Sequence, residues 1–380
     1  MSTLSGVKVL VMGGTNFNGL ALVHELVRQG HEVTVLNRGR SEAEIPDSVG
    51  RLVADRSQPE TVRAVLARTE WDVVCDITAY HPQDVELMIE LLAGHLGHYI
   101  FASSTVTYAT SGVLPIAETH PDDRSDRQNE YGMHKLLCED LLWKAHDEHD
   151  FPATSVAFSM VFGPHNMIAA REQRMFRRIL DHRPVLVPGD GQTLLQLGHV
   201  DDQAVALEQM MGNSVTFGRR YNLTGNTAVT RNHYVSTIAA AVGKTADVRH
   251  IPHAMMDALW SGEQMVDAAV NAGVGLQTRS TVTHSDNPPS NSGRASRGAQ
   301  RFQLAQLVQH LAPNIHHWNS STVFSIDRLR NDIGWAPRHT FESMVDHTLG
   351  WYHDAGLART QAVDWGFEDS ILAVLDNHGE

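Results

Sequence analysis

Val7-Lys8-Val9-Leu10-Val11-Met12-Gly13-Gly14-Thr15-Asn16-Phe17-Asn18-Gly19 decides the fold. The apolar run from Val7 to Met12 predicts a buried parallel strand, and glycines follow it at once. Leu20, Val23, Leu26 and Val27 then recur at helical spacing until Gly30, which predicts the end of the helix. Glu32 to Asn37 predicts a second strand. A βαβ unit of roughly thirty residues has the length of a dinucleotide site, with the unpaired N–H groups of the helix N-terminus aimed at a pyrophosphate. In this reading Gly13 permits the tight turn, Gly14 lets backbone approach the ligand, and Gly19 lets helix pack on strand. Asn16 stands where a stricter fingerprint has glycine.

The second strand ends in Asn37-Arg38-Gly39-Arg40, where an acid would bind the adenosine ribose hydroxyls. An acid would repel a 2′-phosphate, whereas Arg38 would pair with it and gain about 1.5–3 kcal/mol from charged hydrogen bonds. The expected cofactor is therefore NADP(H), with NAD(H) as the alternative. Further strands are expected at Val49 to Ala54, Trp71 to Ile77 and Tyr99 to Ala102. Their carboxyl ends present Asp55 and Arg56, Thr78 and Ala79, and Ser104, the places where a doubly wound sheet binds ligands. Asp55 is the candidate partner of the adenine amino group.

Tyr131 and Lys135 are four apart, so a helix puts them on one face. A nearby ammonium favours a phenolate, and bringing a tyrosine from about 10 to neutrality requires roughly 4 kcal/mol, which Lys135 and a cofactor charge would share. Lysine is scarce, at positions 8, 135, 144 and 244 alone, so this one stands out. Tyr131 is the candidate acid/base and Ser104 the group that holds the substrate oxygen.

These residues, with Phe101-Ala102-Ser103-Ser104-Thr105-Val106-Thr107-Tyr108, Val161-Phe162-Gly163-Pro164, Val187-Pro188-Gly189-Asp190-Gly191, His199-Val200-Asp201-Asp202 and Tyr221-Asn222-Leu223-Thr224-Gly225, resemble an extended short-chain dehydrogenase/reductase of the NAD-dependent epimerase/dehydratase kind. The resemblance runs from about residue 7 to about residue 355. It implies an α/β fold, a doubly wound parallel (Rossmann) sheet with a smaller, interleaved C-terminal substrate domain. The corresponding division is 1–165 for the dinucleotide-binding domain, with 196–217 returning to it. The substrate domain is then 166–195 and 218–360, followed by a C-terminal tail at 361–380. It also implies catalytic Ser104, Tyr131 and Lys135, with Lys135 on the nicotinamide ribose, and a homodimer.

Departures from the family pattern fall where substrate is recognised. Sugar dehydratases carry an Asp-Glu pair after the catalytic Ser or Thr, and here Thr105 and Val106 cannot serve as acid and base. Nucleotide-sugar members anchor the diphosphate with an Asn and an Arg at positions that hold Met160 and Leu195, and a further Arg position is Ala157. A diphosphate would be left unpaired, at high cost, unless Arg171, Arg174 or Arg177 compensates. Tyr80, Thr105, His134, Met160 and His165 are the candidate substrate contacts.

Thirty basic against 44 acidic residues give a net charge of −14, which disfavours nucleic acid and anionic membrane and suits a neutral or cationic small-molecule substrate. There is neither a run of about 18 apolar residues nor a signal sequence, so a cytoplasmic protein is expected. Cys75 and Cys138 read as buried thiols. His-x-x-His occurs at 95/98, 146/149 and 250/253 without Cys or Glu at zinc spacing, so exposed helical faces and no metal are expected. Residues 275–300 are poor in apolar groups and read as a flexible insertion, an active-site lid or a disordered loop.

Three functions fit. The first is an NADPH-dependent reductase of a ketone on a sugar-like or aminocyclitol-like molecule without a nucleotide, in a setting such as aminoglycoside-type antibiotic biosynthesis. The second is an NAD-dependent sugar epimerase. The third is a non-catalytic RNA-binding member, because Gly-Gly-Thr-x-Phe-x-Gly and Asn-Arg-Gly are similar to a plastid RNA-binding branch of the superfamily.

Overall fold

Seven strands form one parallel sheet: β1 (Lys8–Met12), β2 (Glu32–Asn37), β3 (Gly50–Val53), β4 (Trp71–Asp76), β5 (Leu96–Ser104), β6 (Ala153–Phe158) and β10 (Arg219–Leu223). The computed structural model describes residues 6–256, apart from 42, 67, 68, 127, 167, 169 and 170, and residues 320–377. The strand order is β10-β6-β5-β4-β1-β2-β3, so the chain reverses direction between β1 and β4. That reversal opens a crevice at the carboxyl ends of these two strands.

Alternation along the strands sends side chains to two cores. Val9, Val11, Val73 and Cys75 pack with Leu22, Val23 and Leu26 of α1 (Phe17–Arg28) and with Ala206, Leu207 and Met210 of α6 (Val200–Met210). Leu10, Met12, Val74, Tyr99 and Phe101 face the other way, onto α2 (Pro59–Leu66), α3 (Pro82–Leu92) and α4 (Glu130–His149), with Val62, Met88, Cys138 and Leu142. Both cysteines are buried and free. The central strands β1, β4 and β5 are apolar on both faces because each face is covered.

The chain divides into two compact units. One comprises 1–168, 195–229 and 322–352, and the other 169–194, 230–321 and 353–380. The first therefore extends beyond the sequence-based division, which ended its return at 217. β10 pairs with β6 from Arg219 to Leu223, and the helix Asp327–Ile333 reaches it through Tyr221 Oη, which donates to Asp332 at 2.7 Å. The first unit also holds a short sheet of order β11-β9-β7, from β7 (Met160–Phe162), β9 (Leu194–His199) and β11 (Ala228–Thr230).

The second unit contains α5 (Glu172–Leu180), α7 (Arg231–Ala241) and the parallel pair β8 (Val185–Pro188) and β12 (Val248–Ile251). Positions 366–377, expected as a tail, form a helix. It is held there by Glu368, 2% exposed, which accepts from Arg174 at 2.7 Å and Arg178 at 2.9 Å, while Trp365 receives the guanidinium faces of Arg174, Arg178 and Arg183. The candidate insertion 275–300 lies outside the described residues. Among the described residues no helix is long and apolar enough to cross a membrane.

Candidate active site

The loop after β1 turns on two left-handed glycines, Gly13 (φ +109°) and Gly14 (φ +78°). A Cβ on Gly13 would come 2.8 Å from Thr78 Cγ2, so the ends of β1 and β4 meet there. A Cβ on Gly14 would strike Val35 of β2, and one on Gly19 would lie 2.6 Å from Gly14 N. Gly14 thus also makes room for β2, and Gly19 lets the helix seat against the glycine turn. Thr15 is buried, Asn16 precedes α1 without a side-chain cap, Phe17 opens the helix, and no acid occupies its first turn. Asn18 Oδ1 is buried without a hydrogen-bond partner. Uncapped N–H groups and a side-chain-free turn fit an anionic pyrophosphate, and the orphaned Asn18 Oδ1, an acceptor, fits a hydroxyl or amide donor of a dinucleotide.

Where the adenosine end is expected, Asn37 Oδ1 accepts from Gly39 N at 2.8 Å and Asp55 Oδ1 from Ser57 N and Oγ, so both brace their own turns. Ser57, and behind it Arg38 and Arg40, hold the Asp55 carboxyl below its ordinary range against the opposing effect of burial. Arg38 is exposed. Arg56, expected on the cofactor, is turned inward instead. Its guanidinium grips Asp76 with two hydrogen bonds, touches Thr78 Oγ1 at 3.4 Å and lies 3.6 Å from Asp84. Tyr99 Oη donates to the same carboxylate at 2.5 Å, and Thr78 N donates at 3.2 Å. Burial alone would raise the Asp76 carboxyl, but Arg56 holds it below its ordinary value. Asp76 escaped sequence reading because it ends an apolar strand whose neighbours gave no charge pattern.

Ser104 ends β5 and accepts from Val106 N at 3.3 Å, starting the turn Thr105–Thr107. Gln128 ties that turn to α4 by donating to Val106 O at 3.0 Å and Asp123 O at 3.2 Å, and Asn129 caps α4 through Gly132 N at 2.6 Å. Gln128 is a positioning residue the sequence reading did not single out. Tyr131 stands in the first turn of α4, 42% exposed, with its ring centroid 6.2 Å from that of Tyr80.

One turn on, Lys135 is 1% exposed. Its ammonium donates to Ala79 O at 2.7 Å and Ala102 O at 2.6 Å, and lies over the rings of Phe101 (4.8 Å), Tyr80 (4.9 Å) and Tyr131 (5.6 Å). Burial pushes its pKa down to about 8. Two carbonyls leave the third N–H of the ammonium for another acceptor. Thus Ala79, expected to line the cofactor, spends its carbonyl on Lys135.

The candidate substrate residues fall into separate groups. Tyr80 and His134 surround Tyr131 and Lys135, and His134 Nδ1 meets His81 Nδ1 at 3.1 Å. Thr105 follows Ser104. Met160 lies on β7 opposite Leu197, while Leu195 and Ala157 are buried. His165 is exposed in a left-handed conformation (φ +62°), its ring 5.1 Å from that of Trp351. Arg174 pairs with Glu368, and Arg177 with Asp181 and Ala358 O, so these two are already committed within their own unit. The expectation that His95/His98 marks an exposed helical face is corrected: His98 lies in β5, fully buried between Thr154 Oγ1 (2.8 Å) and Gly212 N (3.2 Å), and burial pushes its pKa down to about 3.

Comparison with known proteins agrees with this geometry. Residues 9–224, more than half of the chain, match the model of the NAD dependent epimerase/dehydratase family. The chain is 32% identical over 256 residues to a chloroplast stem-loop binding protein of 41 kDa b from Arabidopsis thaliana, a match spanning 64% of this chain and 65% of that protein, just under two thirds of its length. It is 24% identical over 265 residues to 2'-dehydrokanamycin reductase of Streptomyces kanamyceticus, covering 69% of this chain and 73% of that one. Its fold matches a dTDP-glucose 4,6-dehydratase from Bacillus anthracis solved in complex with NAD, with a TM-score of 0.66 and 15% identity over 92% of this chain and 97% of the other.

Proposed function

Because the chain belongs to the NAD dependent epimerase/dehydratase family, we propose that it is an NADPH-dependent reductase of a ketone on a sugar-like or aminocyclitol-like molecule that carries no nucleotide. The observation that carries this reading is Lys135, buried beside Tyr131 on one helix face, with Ser104 at the end of the adjacent strand. A bound nicotinamide cofactor would supply the hydride. The Ser104 hydroxyl donates a hydrogen bond to the substrate carbonyl oxygen, and Tyr131 Oη gives its proton to that oxygen as negative charge develops there. The Lys135 ammonium stabilises the resulting phenolate and meets the cofactor ribose with its remaining N–H. The glycine turn holds the pyrophosphate, Asn18 Oδ1 accepts from a hydroxyl or amide of the dinucleotide, and Arg38 pairs with the 2′-phosphate.

Apolar Met160, Leu195 and Ala157 support a substrate without a diphosphate. The similarity to a 2'-dehydrokanamycin reductase supports a ketone on an aminoglycoside-like molecule, whose amines suit a chain of net charge −14. A related test releases any nucleotide retained through purification, identifies it, and titrates the emptied protein with NADPH and NADH by fluorescence. Preferential NADPH binding by a protein purified empty, with NADPH consumed on addition of such ketones, supports the reductase.

Stoichiometric retained NAD would replace it with the epimerase, which must keep its nicotinamide between half-reactions. A third reading, RNA binding, draws on the chloroplast relative. Tight binding of a stem-loop with steep salt dependence, unchanged by Tyr131→Phe, would establish that reading and end the enzymatic one.

A further inference from the structure

Three histidines remote in sequence converge at the start of α6. His199 precedes that helix with its side chain fully buried, and its Nε2 is 3.1 Å from Nδ1 of His347 on the helix Phe341–Asp354. Asp201 Oδ2 lies 3.8 Å from that same His347 nitrogen and 3.9 Å from His199 Nδ1. One ligand atom from each of His199, Asp201 and His347 falls within 4.8 Å of the others. His339 stacks on His199 with centroids 3.7 Å apart, and its loop is fixed because Asp202 Oδ2 accepts from Arg338 N (3.0 Å) and His339 N (2.9 Å). Asp201, His339 and His347 border a cavity of about 510 Å³ along α1, lined also by Phe17, His24, Arg28 and His165.

We propose that His199, Asp201 and His347 form a binding site for a divalent transition cation of the zinc class, with the fourth position open to the cavity. Two imidazoles and a carboxylate are the donors such a cation prefers. Nitrogens on a tetrahedral zinc stand about 3.3 Å apart, given bonds of about 2.0–2.1 Å, so the two rings already have nearly the required separation. Two hydrogen bonds are given up. His199 Nδ1 now accepts from Asp201 N at 3.2 Å, which places the ring proton on Nε2 towards His347 Nδ1 at 3.1 Å. Coordination through His199 Nε2 and His347 Nδ1 breaks both, moves the His199 ring proton to Nδ1, 3.9 Å from the Asp201 carboxylate, and forms three metal bonds in their place. His347 and Asp201 are about half exposed, at 46% and 52%, so an ion reaches them from solvent.

The sequence shows no such site, because 146 positions separate the last two ligands, Asp201 and His347. The test uses the full chain, stripped with EDTA, dialysed and titrated calorimetrically with Zn²⁺ alone, then with Co²⁺ as a spectroscopic probe. One equivalent of Zn²⁺ per chain is expected, with a rise in Tm and a Co²⁺ spectrum of low coordination number. His347→Gln and Asp201→Asn, at exposed positions, are expected to keep the far-ultraviolet circular dichroism of the parent. Each should bind Zn²⁺ at least about 100-fold more weakly, beyond the ~10–100-fold loss typical of an outer-shell partner. Failure of the parent to take up an equivalent at micromolar Zn²⁺ overturns the site. So does uptake that both variants retain, which would place the ion on others of the 23 histidines.

Discussion

Arg56 reaches from the loop after β3 to the end of β4 and closes on Asp76, whose side chain is completely buried. The pair joins two strands on opposite sides of β1, directly below the residues Thr78 and Ala79 that line the crevice. Replacing Asp76 by Asn removes one charge and leaves a largely buried guanidinium with only its longer contact to Asp84, at 3.6 Å. The expected loss of stability is about 3–5 kcal/mol in urea unfolding, against about 1 kcal/mol for Tyr99→Phe, which deletes a single hydrogen bond to the same carboxylate. Equal effects of the two substitutions would contradict the ion pair.

Lys135 makes stability depend on pH in a definite direction. Its folded pKa, about 8, lies below the ordinary lysine value of 10.5, so the unfolded chain binds this proton first as pH falls. The penalty for burying the charge is fully present below pH 8 and relieved as pH rises towards 10.5. Wild type should gain roughly 3 kcal/mol relative to Lys135→Met across that interval, from about 1.4 kcal/mol per pKa unit. Unfolding free energies measured from pH 7 to 10.5 check this, and a flat difference would mean the ammonium is well solvated. Reductase activity should decline as pH rises through 8, where the ammonium that supports the phenolate is lost.

Tyr131 is 42% exposed and Phe keeps its ring, so Tyr131→Phe should leave folding and cofactor affinity nearly intact. Loss of the proton donor should lower kcat by about 100- to 10,000-fold. Ser104→Ala should lower kcat less. Turnover by Tyr131→Phe within tenfold of wild type would remove Tyr131 from its proposed role.

Arg38 tests the cofactor. Arg38→Asp should shift the ratio of NADPH to NADH affinity towards NADH by at least about tenfold, since a charged hydrogen bond is worth about 1.5–3 kcal/mol and the new acid repels a 2′-phosphate. An unchanged ratio, read by fluorescence titration, would show that Arg38 does not meet the phosphate.

Gly19 tests the cradle. A methyl group there meets Gly14 N at 2.6 Å and Cα at 2.9 Å, both backbone atoms that cannot swing aside. Gly19→Ala should therefore push helix and turn apart, weakening dinucleotide binding at least about tenfold with a loss of about 1–3 kcal/mol in stability. Gly30→Ala, at a positive φ with open space around its Cβ, should lose stability alone and leave binding intact.

The sequence by itself determined the sheet, the glycine turn and the pairing of Tyr131 with Lys135, because each rests on local periodicity: strands apolar on both faces, helices repeating every three to four residues, and a four-residue step that repeats one helix face. It misjudged elements whose polar residues are satisfied at a distance. β5 begins at Leu96 rather than Tyr99 because Thr154 and Gly212 pair the buried His98. The terminal helix at 366–377 forms against arginines of α5, nearly two hundred residues earlier. Only the tertiary structure decided that Arg56 pairs with Asp76, that Gln128 fixes the approach of α4 to Ser104, and that His199, Asp201 and His347 meet. Each depends on contacts between segments that no local pattern connects, and a buried charge or imidazole takes its role from the partner that the fold brings to it.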